Sequence, residues 1–145
     1  MIQLPRYEAK STPQKSDIDV VFVTQDAGKK PVPPRGSYTS LVEKLRKSGP
    51  FIGKLGQVSV IPFGGKNTAN HVAFVGLGPV AELTSEKARQ AGGHALTKLA
   101  SEKVSTAQIH VDSLFEIKGL VDPEKRVHAF IEGLALSAYK FDKYK

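Results

Sequence analysis

Apolar residues occur in short continuous runs at several places along the chain, and such runs predict β-strands. Residues 17–24 (DIDVVFVT) and 72–75 (VAFV) are rich in β-branched and aromatic side chains, and the first run is apolar enough for a central strand. Residues 57–63 (QVSVIPF) are apolar at alternate positions, and only the turn-rich segment 64–70 separates them from the strand that resumes at His71. So short a connection predicts an antiparallel pair of strands.

Apolar residues at helical spacing predict a first and a last helix. The first covers residues 40–47 and is stopped by Gly49 and Pro50. Its apolar face consists of Leu41, Val42 and Leu45. The last helix begins with Asp122 as its N-cap and Pro123 in its first turn. Its apolar stripe consists of Val127, Phe130, Ile131, Leu134 and Ala138.

A third helical pattern, at residues 84–101, follows two glycines. Gly76 and Gly78 are predicted to end the strand at residues 72–75, because glycine permits backbone angles that other residues resist. Thr84 is the predicted N-cap of the helix. Its apolar face is narrow and mostly small, so the helix is expected to lie close against a sheet. That face consists of Ala88, Ala91, Gly92, Ala95, Leu96 and Leu99.

The order of the elements predicts the fold class. A short edge strand is expected at residues 2–4, a proline-rich loop at residues 25–37, and a further strand at residues 106–112. The main elements then follow the order β-α-β-β-α-β-α. This order predicts an α/β fold with a mixed sheet and helices on both faces, formed as one domain by residues 1–145.

Composition and charge narrow the classes of function. The chain has 145 residues and no cysteine, which excludes disulfides, zinc sites built on thiolates and cysteine nucleophiles. No apolar run approaches the length of a transmembrane helix, so a cytoplasmic protein without membrane contact is expected. Residues 29–66 contain eight basic residues and only Glu43 as an acid, so this segment carries the whole net charge of +7. Such a segment is either a solvated basic face or a weak binding site for DNA or another anion.

One motif is compatible with dinucleotide binding. Residues 76–81 (GLGPVA) match the pattern G-x-G-x-x-A after a strand, and Gly76 and Gly78 are therefore the candidate cofactor-binding residues. Three features weaken the match. Pro79 lacks an amide hydrogen, the helix starts only at about Thr84, and Asp112 lies far beyond the usual spacing of about 20 residues. The motif is better explained by glycines that shape the exit of a strand, and no cofactor is expected.

Candidate catalytic and metal-binding residues do not form a cluster in the sequence. The four histidines fall on four different predicted elements, without a nearby group of carboxylates. They are His71, His94, His110 and His128. Asp17 and Asp19 share one face near the start of a strand, where a pair of acids more often blocks pairing at a sheet edge than acts in catalysis. The sequence therefore predicts neither a catalytic residue nor a metal site.

Four segments carry a resemblance to a known family. They are residues 50–56 (PFIGKLG), 75–78 (VGLG), 87–93 (KARQAGG) and 132–145 (EGLALSAYKFDKYK). In their order and spacing they resemble the N-terminal domain of the leucyl aminopeptidase (cytosol aminopeptidase) family. The last segment keeps its aromatic residues almost to Lys145, which favours a chain that continues into another domain.

The resemblance implies a larger enzyme with two lobes. In the family, a smaller N-terminal lobe has a macro-domain-like α/β/α sandwich, and two divalent metals (zinc or manganese) and the catalytic residues belong to the C-terminal lobe. The signature N-T-D-x-E-G-R-L of that lobe does not occur in the 145 residues. The resemblance thus implies a non-catalytic lobe that contacts a C-terminal catalytic domain, takes part in a hexamer and shapes access to the active sites.

Two other functions remain open from the residues alone. A free-standing macro-like module that binds ADP-ribose or another nucleotide would use Gly76 and Gly78. A weak DNA-binding module would use the basic segment at residues 29–66.

Overall fold

The computed structural model describes residues 16–25, 31–32, 39–49, 51–62, 69–102, 106–111, 115, 117 and 119–143. The strands are β1 Ser16–Gln25, β2 Pro31–Val32, β3 Val58–Pro62, β4 Ala69–Pro79 and β5 Ala107–Ile109. The helices are α1 Thr39–Ser48, α2 Ser85–Ser101 and α3 Pro123–Lys143, and a 3₁₀ turn, Val80–Glu82, precedes α2. The predicted strand at residues 2–4 and Asp112 lie outside the described residues.

The sheet is mixed, as the sequence predicts, and β1 lies in its interior. β1 pairs in parallel with β4 along one edge and with β5 along the other. β2 adds an antiparallel pair at the end of β1, and β3 pairs antiparallel with β4. The antiparallel pair predicted from residues 57–63 and the strand at His71 is therefore confirmed.

Alternate residues of β1 face two separate apolar layers. Ile18, Val20 and Phe22 belong to the larger core cluster, which α2 and α3 cover. Val21 and Val23 belong to the smaller cluster, with Val42 of α1. Helices thus cover both faces of the sheet, and the predicted three-layer α/β/α sandwich is confirmed. Its macro-domain-like character stays a prediction.

The helix boundaries follow local signals in the sequence. Thr84 caps α2, since its side-chain oxygen accepts a hydrogen bond from the amide of Lys87 at 3.2 Å. α3 begins at Pro123 as predicted. Asp122 before it has a φ of 48°, whereas an N-cap residue usually has an extended backbone. Its carbonyl oxygen accepts hydrogen bonds from the amides of Lys125 and Arg126.

Two predictions about local structure are wrong, and a third is extended. The loop expected at residues 25–37 contains β2, because Pro31 and Val32 pair with the end of β1. Gly76 and Gly78 do not end their strand, since β4 continues through both to Pro79. The small face of α2 packs in the larger core cluster with residues of β1 and β4, as predicted, and at Gly92 it also contacts α3, where a Cβ atom would overlap the carbonyl oxygen of Phe130.

Contacts across the larger core hold α3 against the sheet. The rings of Phe22 in β1 and Phe130 in α3 lie 4.9 Å apart and nearly perpendicular, at 86°. None of the helices in the described ranges has both the length and the apolar character that crossing a membrane would need.

Candidate functional site

The crossover pattern of the sheet indicates where a ligand site would lie. β1 and β4 are parallel neighbours, but the helix after β1 packs on one face of the sheet and the helix after β4 packs on the other. Ligands of α/β proteins bind outside the carboxyl ends of strands at such a switch point. A cavity of about 370 Å³ opens there. It is lined by Gln25, Ile52, Lys54, Leu55, Leu77, Gly78, Pro79, Glu82 and Lys87, and is called the switch-point cavity below.

One wall of the switch-point cavity is the loop at residues 51–57, which Gln57 holds together. The side-chain oxygen of Gln57 accepts hydrogen bonds from the amides of Ile52 at 3.0 Å and Lys54 at 3.1 Å. The backbone amide of Gln57 donates a hydrogen bond to the carbonyl oxygen of Lys54 at 3.0 Å. Phe51 is buried in the smaller core cluster and anchors the start of the loop. A single polar side chain therefore shapes the loop.

The loop is joined to β4 by two hydrogen bonds from glycine amides. Gly76 donates to the carbonyl oxygen of Gln57, and Gly78 to that of Gly53, both at 2.8 Å. Gly53 has a φ of 83°, and a Cβ atom on it would overlap the carbonyl oxygen of Thr24. A Cβ atom on Gly76 would overlap the carbonyl oxygen of Lys54. The segments PFIGKLG and VGLG, far apart in sequence, thus form one close backbone contact.

This contact sets what the two candidate glycines offer to a ligand. The amides of Gly76 and Gly78 both donate within the chain, and Pro79 has no amide hydrogen. Gly78 lines the switch-point cavity, whereas Gly76 lies beneath the loop. Both glycine amides are thus engaged within the chain, and the glycines contribute backbone shape.

Charged side chains stand at the rim of the switch-point cavity. Lys87 Nζ lies 3.5 Å from Glu82 Oε1, and the side chains are 39% and 63% exposed. Lys54 is exposed, and no ion pair joins it to another residue of the described ranges. The rim therefore offers the ammonium group of Lys54 and the ion pair of Lys87 with Glu82, beside apolar lining residues.

A second, more open depression lies between the first turns of α2 and α3. It has a volume of about 410 Å³ and is lined by Ser85, Arg89, Glu124, Lys125, His128, Ala129 and Glu132. Arg89 pairs with Glu86 within α2 and with Glu132 of α3. Arg126 donates to Ser85 Oγ at 3.1 Å, while its buried Nε has no hydrogen-bond partner within the described part of the chain. Among the charged residues that line this depression, Arg89 and Glu132 thus pair with each other.

Of the acids and histidines considered in the sequence, the structure brings Asp19 and His110 together. Asp19 is fully buried in the interior strand β1, and its Oδ1 lies 3.4 Å from Nε2 of His110. The prediction that Asp17 and Asp19 block pairing at a sheet edge is therefore wrong, because β1 is paired on both sides. Asp17 instead exchanges hydrogen bonds with Thr106, through its amide and its carboxylate. Over the described ranges, no group of three or more metal-ligating side chains comes together.

Sequence reasoning missed Gln57 and the two charged partners Glu82 and Lys87. Gln57 carries no local signal, because a glutamine between a glycine and a strand is ordinary. Glu82 and Lys87 lie on different elements, and only the 3₁₀ turn between β4 and α2 brings them together. Lys54 and Lys87 both stand in segments that carry the family resemblance, but the sequence did not indicate that they line one cavity.

Comparisons with known proteins agree with this architecture. Residues 20–145 match the family described as "Cytosol aminopeptidase family, N-terminal domain". The chain is 32% identical over 112 residues to a "Probable cytosol aminopeptidase" of Clostridium perfringens, a match that covers 77% of this chain and 22% of the relative. A relative of the same name from Geotalea uraniireducens is 36% identical over 112 residues, with 76% and 20% covered. One from Sinorhizobium fredii is 33% identical over 130 residues, with 88% and 24% covered.

A solved structure shares the fold. The bottromycin maturation enzyme BotP in complex with Mn aligns with a TM-score of 0.60 at 23% identity, over 90% of this chain and 24% of that chain. The chain spans about a fifth of the length of the curated relatives it matches. Because the family match covers nearly the whole chain, the chain belongs to the cytosol aminopeptidase family, and residues 20–145 correspond to that family's N-terminal domain.

Proposed function

We propose that the chain is the non-catalytic N-terminal domain of a metal-dependent leucyl aminopeptidase, an enzyme that removes N-terminal residues from peptides. The observation that carries this proposal is the match of residues 20–145 to the family's N-terminal domain. The relatives, of which the match covers about a fifth, are named as cytosol aminopeptidases, and this supports both the activity and a cytoplasmic location.

The two divalent metals of the proposed enzyme, zinc or manganese, belong to its catalytic domain. BotP is an enzyme that contains this fold and forms a complex with Mn, which supports a divalent metal in the proposed enzyme. The signature N-T-D-x-E-G-R-L, which the resemblance assigns to the catalytic domain, is absent from these residues. The domain described here would not take part in catalysis. It would contribute to assembly of a hexamer and shape access to the active sites.

Exposed apolar side chains support a role in contacts with other protein surfaces. Within the part of the chain that the structure describes, four large apolar residues are well exposed, and Val121, at 66%, is the most exposed of them. The set consists of Val111, Phe115, Val121 and Leu136. Phe115 lies one turn after Val111, since its amide donates to the carbonyl oxygen of Val111. Contact with the catalytic domain or with another subunit would remove these side chains from water.

The proposal is tested with a fusion protein. The catalytic part of the Clostridium perfringens relative is produced alone and fused after this chain, and hydrolysis of leucine p-nitroanilide with manganese is measured together with the mass by light scattering. We expect no turnover from this chain alone, and turnover with a defined oligomer from the fusion. The exposed double variant Val121→Ser, Leu136→Ser should keep the free energy of unfolding of the chain within about 1 kcal/mol but reduce assembly of the fusion. A catalytic part that assembles and turns over equally well without this chain would contradict the proposal.

The two alternative functions have less support. A nucleotide-binding module needs free amides for a diphosphate, and those of Gly76 and Gly78 donate within the chain. DNA binding through residues 29–66 stays a prediction. Of that segment, the structure describes the basic residues of α1 and Lys54, and Arg46 is paired with Glu43.

A further inference from the structure

The switch-point cavity combines three features whose chemistry suits one class of ligand. Its floor is apolar, formed by Leu55 and Leu77 with Ile52 and Pro79 beside them. Its rim holds the ammonium group of Lys54 and the carboxylate of Glu82. At about 370 Å³ it is near the lower end of the range for ligand pockets, about 300–1,000 Å³, which favours a small ligand over a dinucleotide.

We propose that the switch-point cavity binds a free apolar α-amino acid such as leucine. The ligand's carboxylate would pair with Lys54, its ammonium group with Glu82, and its side chain would cover Leu55 and Leu77. A zwitterion with an apolar side chain is the class of small molecule that needs a cation, an anion and an apolar floor together. The ligand is the kind of product that the proposed peptidase would release, but its recognition uses this chain's residues alone.

The ion pair of the rim determines which charge takes which group. Lys87 is already engaged with Glu82, whereas Lys54 has no ion-pair partner among the described residues, so Lys54 is the cation left for a carboxylate. A carboxylate has about four lone-pair positions, so Glu82 can accept an ammonium group while it keeps Lys87. Purely anionic ligands are disfavoured, because they would face the carboxylate of Glu82 and find no free glycine amide.

Binding is tested on the purified chain by NMR titration with leucine. We expect saturable shifts confined to the residues of the switch-point cavity, with a Kd on the order of 1 mM. Leucinamide lacks the carboxylate, 4-methylpentanoate lacks the ammonium group and glycine lacks the apolar side chain. Each of these three compounds should therefore bind about tenfold more weakly or not at all.

Variants separate this site from general surface charge. Lys54→Gln and Glu82→Gln, both at exposed positions, should each weaken leucine binding about tenfold. Lys98 and Glu102 form the matched control, since they make an exposed ion pair of the same 3.5 Å length near the far end of α2. Lys98→Gln and Glu102→Gln should leave the Kd unchanged.

Several results would overturn the inference. They are no saturable shift up to the solubility limit of leucine, equal binding of leucine and 4-methylpentanoate, equal effects of the control variants, or tighter binding of ADP-ribose than of leucine. Because the titration uses the isolated chain, its outcome is independent of the fusion experiment. Failure of one proposal therefore leaves the other standing.

Discussion

Two regions of the molecule bring backbones together at glycines, and they do so for different reasons. In the first, here called the loop contact, Gly53 of the loop at residues 51–57 lies on the sheet beside Gly76 of β4. In the second, the helix contact, Gly92 of α2 lies on α3 and Gly133 of α3 lies on α2. At all four positions a Cβ atom would overlap backbone of the facing segment.

The two contacts differ in what else requires glycine. The loop contact contains hydrogen bonds between its two segments, and Gly53 has a φ of 83°, so both space and backbone conformation select glycine there. The helix contact involves helical backbone, and only space selects glycine. Glycine is unfavourable within a helix, by about 1 kcal/mol relative to alanine, so the helix contact must return more than that in packing. In both regions the segment that faces a glycine explains why the glycine is there.

The largest effect is expected from breaking the helix contact. Gly133→Ala places a Cβ atom onto the carbonyl oxygen of Arg89, which cannot move without shifting α2. We expect the free energy of unfolding to fall by about 3 kcal/mol, although helix propensity alone would raise it by about 1 kcal/mol. Urea denaturation measures the change. Ala135→Ser, at an exposed position of the same helix, should change it by less than about 1 kcal/mol. A stabilised Gly133→Ala variant would show that the helices are not in close contact.

A somewhat smaller loss is expected from breaking the loop contact. Gly76→Ala overlaps the carbonyl oxygen of Lys54 and forces the loop away from β4, with loss of about 2 kcal/mol of stability. Gly78→Ala is the companion variant, since its Cβ atom has room but its φ is 77°. It should lose about 1 kcal/mol through backbone conformation alone. Hydrogen exchange of the residue 76 and 78 amides should accelerate in Gly76→Ala, and unchanged protection would contradict the loop contact.

The side chain that shapes the loop gives a sharper test with a smaller effect. Gln57→Ala leaves the amides of Ile52 and Lys54 without their acceptor, and we expect a loss of about 1–2 kcal/mol. Gln57→Glu keeps an acceptor oxygen and should lose less than the alanine variant. Thermal unfolding of the two variants, compared at one pH, measures the difference. Equal losses would mean that this acceptor does not hold the loop.

The smallest effect, of opposite sign, is expected one residue from the helix contact. At Gly93 a Cβ atom would approach Ser137 Oγ, at 2.8 Å, and that hydroxyl can rotate away. Gly93→Ala should therefore keep most of the helix-propensity gain, a stabilisation of up to about 1 kcal/mol. Gly49→Ala, where nothing lies within 4 Å, gives the reference for a glycine without a neighbour. A loss as large as that of Gly133→Ala would mean that the contact extends over both glycines of α2.

Local pattern in the sequence was enough for much of the fold. The apolar run at residues 17–24 predicted the interior strand β1, and Thr84 and Pro123 predicted the starts of α2 and α3. These features depend on residues close in sequence, through burial periodicity and capping. Short motifs also indicated the family, which the match over residues 20–145 confirms.

The tertiary structure alone decided what the glycines do and where the candidate site lies. From the sequence, Gly76 and Gly78 were predicted to end a strand, and they also matched a dinucleotide-binding pattern. In the structure their amides donate hydrogen bonds to carbonyl oxygens of the loop at residues 51–57, about twenty residues earlier in the chain. No local pattern encodes this pairing. Asp19 was likewise predicted to block pairing at a sheet edge. In the structure β5 pairs with β1, and Asp19 is buried beside His110. Contacts between distant segments determine both cases, because a hydrogen bond or a close approach depends on the partner as much as on the residue itself.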